Sequence, residues 1–254
     1  MSDDSGKPGL GRLRQRVRAI ERGEAAERRP VLSTGAAALD DALPGGGLAR
    51  AALHEVVPGR ADWDDGPAAG FCLAILGHLL RRVSGPVLWI ARRQDLYPPG
   101  LAAFGVHPDR LLLARAGDDA TVLWAMEEGL RCSDLAAVVG EVRALDRVAA
   151  RRLQLGAEAG GMTALSLLRP SVAPRGREVS STAATRWRVG ALPGAAGAVA
   201  ALPGRPRWRL ELLRVRGGHP ADFEVEWDDA TGDFAMAAPF RDGAAATAGG
   251  VAIS

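Results

Sequence analysis

Ser33-Thr34-Gly35-Ala36-Ala37-Ala38-Leu39-Asp40-Asp41-Ala42-Leu43-Pro44-Gly45-Gly46-Gly47-Leu48 is the stretch from which the fold follows. Leu39 and Leu43 lie one helical turn apart, so a short helix is predicted around Ala36 to Leu43. Gly45 to Gly47 form a glycine turn, and a strand follows near Ala52 to Val57. Each residue alone is ordinary turn and packing material. The signal is their combination at fixed offsets.

Working toward the C-terminus, a loop is expected from Pro58 to Pro67, then a helix from Ala68 to Arg82. That helix is apolar nearly all round (Phe71, Leu73, Ile75, Leu76, Leu79, Leu80), as a helix buried against a sheet must be. Strand and helix patterns then alternate. Strands are read at Pro86 to Ala91, Leu111 to Ala114, Leu135 to Val142 and Thr163 to Leu168, and helices at Leu96 to Phe104, Ala120 to Arg131 and Asp146 to Glu158. Such alternation predicts an α/β fold with a mainly parallel sheet flanked by helices. Beyond Pro170 the pattern changes to strands without intervening helices, at Thr185 to Val189, Trp208 to Val215, Glu224 to Trp227 and Phe234 to Ala237, which read as an antiparallel extension. Between the first two, Ala-Leu-Pro-Gly occurs twice in a low-complexity loop.

Working toward the N-terminus, Leu10, Leu13, Val17 and Ile20 recur at helical spacing among Arg12, Arg14, Arg16 and Arg18, predicting a short amphipathic helix. The expected organisation is therefore an N-terminal helix and linker over residues 1–30, one domain with C-terminal strands over 31–240, and a disordered tail over 241–254.

The chain has 254 residues and 47% hydrophobic content, enough for a sizeable core, and a formal net charge of only +2. No whole-chain charge bias announces nucleic acid or a membrane. Lys7 is the one lysine among 32 Lys and Arg residues, so the basic residues are otherwise arginines, which keep their bidentate phosphate chemistry. Cys72 and Cys132 lie far apart in apolar helical patterns and suit a reducing cytosol. With no apolar leader and no run of about 18 apolar residues, neither secretion nor membrane spanning is expected, and the expected location is cytoplasmic. His54, His78, His107 and His219 are too scattered for a metal site, and no nucleophile elbow is present. No metal or cofactor is expected.

Ser33-Thr34-Gly35, Leu39-Asp40, Leu43 and Gly45-Gly46-Gly47-Leu48 resemble the segment that opens RecA-type recombinase cores, S-T-G-x-x-x-L-D-x-x-L-x-G-G-G-L. The resemblance implies a RecA-like core over about Val31 to Val189. In that family the next strand runs into a phosphate loop, G-x-x-x-x-G-K-[ST]. Here the corresponding loop runs Gly59-Arg60-Ala61-Asp62-Trp63-Asp64-Asp65-Gly66-Pro67-Ala68, with longer glycine spacing, no lysine and no following Ser or Thr. Asp62, Asp64 and Asp65 are expected where a triphosphate would lie, opposing it by like-charge repulsion. Pro67 removes an amide donor at the helix start. The glutamate expected after the strand ending at Ala91 is replaced by Arg92-Arg93-Gln94, and the magnesium-binding aspartate by Gly140-Glu141, where Glu141 reads either as a displaced remnant or, the favoured reading, as a polar strand end. The resemblance thus implies a degenerate nucleotide loop (Gly59, Asp62, Asp64, Asp65, Gly66) and no catalytic residue.

The tail Arg207-Trp208-x-Leu210-x-Leu212-x-Arg214-x-Arg216-Gly217, followed by Glu226-Trp227-Asp228, looks like the ImuA family, damage-inducible accessory proteins of a bacterial mutagenic translesion system. That resemblance implies three partners: an inactive Y-family polymerase homologue, an error-prone replicative-type polymerase, and RecA as a further candidate. Partner surfaces are expected on Leu10, Leu13, Val17 and Ile20 and on Arg207, Trp208, Arg214 and Arg216. In RecA-type folds the loop after the strand Thr163 to Leu168 contacts single-stranded DNA, so Arg169, Arg175, Arg177, Arg186 and Arg188 are candidate DNA contacts. Trp187 is either a base-stacking surface or packed inside the sheet, and the second reading is favoured. The function expected is a non-catalytic RecA-like scaffold in error-prone translesion synthesis. An SOS-type cell-division inhibitor and a divergent RecA-type ATPase are the competing readings.

Overall fold

In the computed structural model, which describes residues 30–93, 95–170, 181–194 and 205–237, the opening segment is a self-fastened unit. Strand β1 (Val31–Leu32) pairs antiparallel with β2 (Leu48–Ala49), and α1 (Ala37–Asp41) lies between them in the chain. The Asp40 carboxylate reaches back from α1 and accepts hydrogen bonds from Ser33 Oγ (2.7 Å), Thr34 Oγ1 (2.9 Å) and the Thr34 amide (2.9 Å). Gly35 turns the chain with φ +84°, and any Cβ there would collide with the side chain of Asp233. Leu39, Leu43 and Leu48 enter the core. Ser33, Thr34, Gly35, Leu39, Asp40, Leu43 and Leu48 therefore each have a structural job.

The main sheet is built from β3 (Leu53–Pro58), β4 (Val87–Ala91), β5 (Leu111–Arg115), β6 (Ala137–Val142), β7 (Thr163–Leu168), β8 (Thr185–Leu192), β9 (Arg207–Val215), β10 (Ala221–Asp228) and β11 (Asp233–Met236). Their order is β11-β10-β9-β8-β3-β7-β6-β4-β5. From β5 to β8 the neighbours are parallel, and from β8 to β11 they are antiparallel. This is the sheet expected from the alternating patterns and the strand-only C-terminus. The order carries β7 between β3 and β6, so the loops leaving the ends of these three strands converge on one rim.

Helix α2 (Asp65–Leu80) lies on one face of the sheet with α1 and the short α3 (Pro98–Leu101). Helices α4 (Asp119–Gly129) and α5 (Arg147–Gly160) cover the other face. Every residue of α2 from Ala68 to Leu80 is buried, because sheet, α3 and the C-terminal strands enclose it. An aromatic cluster joins these parts: Phe71 packs on Trp187 and Phe234, and Phe104 packs on Trp208 and Trp227. The segment after Leu96 is less helical than its pattern suggested. One α-helical turn at Pro98–Leu101 passes into a 3-10 turn at Ala102–Phe104, since Gly105 leaves the helix with φ +73°.

Where α2 meets that turn the backbones almost touch. A Cβ at Gly77 would run into the carbonyl oxygen of Phe104. Gly77→Ala is therefore expected to destabilise the fold by about 1–3 kcal/mol, because neither main chain can move without disturbing the aromatic cluster. Urea denaturation checks this, and a midpoint equal to that of the unsubstituted chain would refute it.

The amphipathic helix expected over Leu10 to Ile20, the residues Arg175 and Arg177, and the tail beyond Phe240 lie outside the described residues. Among the described residues no helix is long and apolar enough to cross a membrane.

Candidate functional site

Strand β3 delivers its last residue, Pro58, to the loop Gly59–Asp64, and α2 begins at Asp65, three residues earlier than expected. Gly59 is pressed against β8: its amide donates to the Val189 carbonyl (2.7 Å), and a Cβ would lie 3.0 Å from Asp64 Oδ2. Asp64 is folded inside the loop rather than facing outward. Its Oδ2 accepts from the Arg60 amide (2.8 Å) and Arg60 Nε (3.1 Å), and its Oδ1 accepts from the Ala191 amide (3.0 Å) on β8. Burial pushes the Asp64 carboxyl up, but the hydrogen bonds from Arg60 and Ala191 together hold it below the usual carboxylate range. An internal carboxylate thus takes an amide of the kind that a phosphate loop offers to its ligand.

The expected row of three repelling carboxylates is corrected by these positions. Asp62 is exposed in a left-handed turn with φ 63°, a conformation aspartate tolerates. Asp64 is internal, and Asp65 turns away into a second network. Proximity in sequence made them look like one cluster, but the loop points the three side chains in different directions.

The second network is centred on Arg169, just past β7, whose side chain is only 11% exposed. Its Nε lies 3.0 Å from Glu141 Oε2, and its Nη1 lies 2.8 Å from Asp95 Oδ2 and 3.4 Å from Asp65 Oδ2. Arg93 bridges the same two aspartates, at 3.1 Å from Asp95 and 3.5 Å from Asp65. Trp89 on β4 donates its indole N–H to Glu141 Oε1 at 2.7 Å. Glu141 does stand near the end of β6, but it is a buried, paired carboxylate and not a solvated one. It is buried on β6, and burial raises its pKa against the opposing pull of Arg169 and Trp89. Cys72 of α2 is buried close by, its thiol pushed up by burial and then by the Glu141 charge, which makes it an inert core residue. Beside the network Arg92 pairs with Asp119 (3.0 Å), whose other oxygen accepts from the Arg143 amide (3.0 Å).

The rim where β3, β6 and β7 end is therefore sealed by arginine–carboxylate pairs. Arg169, set among Glu141, Asp95 and Asp65, supplies positive charge there together with Arg93. Among the described residues no group of histidine, cysteine, aspartate and glutamate is arranged to hold a metal ion. Gly66 is the second residue of α2 and has open space around its Cα.

The candidate DNA contacts need correction for the same reason. Arg186 on β8 is buried and donates to Glu55 Oε2 on β3, while Ser181 Oγ donates to Glu55 Oε1. Arg188 pairs with Glu211 at 3.0 Å. Both pairs are directly opposite in strand register, Glu55 with Arg186 and Arg188 with Glu211. Trp187, alternating with them, is fully buried against Phe71, as favoured from the sequence. Its indole donates to Thr185 Oγ1 (2.8 Å), which lies 2.8 Å from His54 Nδ1.

Of the candidate partner residues, Trp208 is core, stacked on Phe104, and Arg207 is buried against Glu226, its register partner, at 3.2 Å. Arg214 is half-buried and donates to the Ala183 carbonyl. Arg216 is exposed, 3.3 Å from Glu158. Trp89 and Asp95 escaped the sequence reading, and Arg93 entered it only as part of the stretch that replaces a glutamate. The signal available was the run of charged residues directly after a buried strand, where a parallel sheet places its functional rim.

No protein-family model matches the chain. It is 39% identical over 207 residues to Protein ImuA of Caulobacter vibrioides strain NA1000 / CB15N, covering 79% of this chain and 85% of that protein. This chain belongs to the ImuA family. The same figures hold for Protein ImuA of Caulobacter vibrioides strain ATCC 19089 / CIP 103742 / CB 15. Among solved structures, the RadB recombinase is similar over 78% of this chain and 96% of its own, with a TM-score of 0.54 and 16% identity. That likeness concerns fold alone, and it agrees with an α/β RecA-like architecture. SulA from Pseudomonas aeruginosa matches 46% of this chain and 96% of its own at 25% identity, with a TM-score of 0.39 that bears no argument. In this ImuA-family chain the tail motif is chiefly core material: Trp208 and Trp227 fill the aromatic cluster, and Asp228 pairs with Arg205 at 3.1 Å.

Proposed function

We propose that this ImuA-family chain is a non-catalytic accessory factor of damage-induced, error-prone translesion DNA synthesis. It holds an inactive Y-family polymerase homologue and an error-prone replicative-type polymerase together, and RecA and single-stranded DNA are further ligands. The observation that carries the non-catalytic half is the sealed rim. Lys7 is the only lysine, Asp64 occupies the loop from within, and Arg169 is engaged by three carboxylates. A triphosphate entering there would have to break these pairs and face their carboxylates. The accessory half is supported by family membership and by the RecA-like fold.

Two measurements test the two halves separately. Equilibrium dialysis with ATP and magnesium is expected to show no retained nucleotide, and saturable retention at micromolar ATP would overturn the non-catalytic reading. The full chain is expected to retain the polymerase homologue in a pull-down, with binding reduced when residues 1–27 are deleted. Absence of binding by the full chain would overturn the accessory reading. Deleting the segment beyond Arg207 is not a usable test, because it removes Trp208, Trp227 and Phe234 from the core.

A further inference from the structure

We propose that a cleft at the C-terminal end of α2 binds a phosphate group, carried either by a nucleic-acid backbone or by a free phosphate. The cleft has a volume of about 530 Å³ and is lined by Arg81, Arg82, Ser84, Gly85 and Arg110 among others. It lies where the chain enters β4 and β5, at the end of the sheet opposite the sealed rim. The length of α2, about 24 Å for its 16 residues, separates the two places. This site does not depend on the accessory reading above.

The charge balance of the cleft is what points to an anion. Arg81 is neutralised by Asp233 at 3.1 Å. Arg82 and Arg110 have no carboxylate within ion-pair range among the described residues, and main-chain oxygens hold them instead. Arg110 donates to the Gly85 carbonyl from Nε (2.9 Å) and Nη2 (2.6 Å), and to the Val83 carbonyl at 2.8 Å. Arg82 Nη1 donates to the His78 carbonyl at 3.0 Å. The partial negative charge at the end of a helix, about half an elementary charge, offsets only part of two full positive charges. His78, buried and held neutral, adds no charge.

The geometry is also fixed in advance. Three hydrogen bonds to carbonyls anchor Arg110 and one steadies the exposed Arg82, which lowers the rotamer freedom lost on binding. Each guanidinium has five N–H donors, and the bonds to carbonyl oxygens use only some of them. Two guanidinium groups and a serine lining one cleft suit the tetrahedral, many-acceptor shape of a phosphate better than a single carboxylate.

The test uses the full chain with two probes at low salt: a fluorescein-labelled oligothymidine followed by anisotropy, and inorganic phosphate followed by calorimetry. At least one probe is expected to bind. Arg82→Gln should weaken that binding about tenfold, and for the oligonucleotide it should lower the slope of log affinity against log salt by about one. Arg82→Lys, which keeps the charge, should restore part of the loss. Binding of the oligonucleotide alone assigns the site to a nucleic-acid backbone, and binding of phosphate alone assigns it to a free phosphate. The proposal is overturned if neither probe binds, or if Arg82→Gln binds as the unsubstituted chain does while remaining equally folded by circular dichroism.

Discussion

Replacing Arg169 by methionine should lower the unfolding free energy by about 3–5 kcal/mol at neutral pH, the usual cost of breaking one partner out of a buried ion pair. Methionine fills most of the space that the arginine stem occupied, so the loss is chiefly electrostatic. Glu141 would remain buried on β6 with the Trp89 indole as its hydrogen-bond donor, and Asp95 and Asp65 would keep only Arg93. Adding Glu141→Gln to Arg169→Met should recover a substantial part of the stability, because a neutral amide can still accept from Trp89 and needs no counter-charge. Relative to the unsubstituted chain, the single Arg169→Met variant should also regain stability as the pH falls toward the raised Glu141 pKa, since protonation removes the uncompensated charge. Urea titrations of the two single variants and the double variant decide the matter. A loss below about 1 kcal/mol for Arg169→Met would show that the network contributes little to the fold.

The second large effect is a loss of stability in mild acid, set by two buried histidines. Burial lowers His54 to about 4, against a smaller raising effect of its hydrogen bond to the Ala49 carbonyl (2.7 Å). Burial, and then the Arg81 charge, likewise lower His78 to about 4. Both rings are neutral in the folded chain at pH 7. In the unfolded chain they titrate near the ordinary value of about 6.5. As the pH falls below that value the unfolded state takes up protons that the folded state refuses, so unfolding is favoured. The stabilisation is complete above the unfolded pKa and is lost as the pH falls through the folded one. Each histidine contributes about 1.4 kcal/mol per pH unit between its unfolded and folded values, so the pair should cost about 6 kcal/mol between pH 7 and pH 4.

Asp64, held low, adds a loss in the same direction at still lower pH, while Glu141, held high, acts the opposite way. His54→Asn, which shortens the ring but keeps a polar group beside Thr185, should be less stable at pH 7 and show a shallower pH dependence. Unfolding free energies measured by urea from pH 7 to pH 4 test this. A flat profile between pH 7 and pH 5 would rule out buried neutral histidines as the cause.

Much of the fold was legible because its signals are local. The alternation of β-periodic and apolar helical segments from Leu53 to Leu168 depends only on which faces are buried, and it survives as a readable pattern whatever the neighbours are. The opening motif is local too: Ser33 and Thr34 both donate to Asp40, seven and six residues on. Absence was also legible, since a chain with one lysine, placed at Lys7, has none to give a phosphate loop.

The charged residues were misread because their partners are not local. Arg186 and Glu55 are 131 residues apart in sequence, and Arg169 and Asp65 are 104 apart. Whether an arginine meets water, phosphate or a carboxylate depends on which strands become neighbours and in what register. Sequence periodicity records burial but not pairing, so it announced a RecA-like sheet with a broken phosphate loop. Only the tertiary structure determined that the arginines beside this loop close it, because the strand order brings Glu141, Asp95 and Asp65 around Arg169.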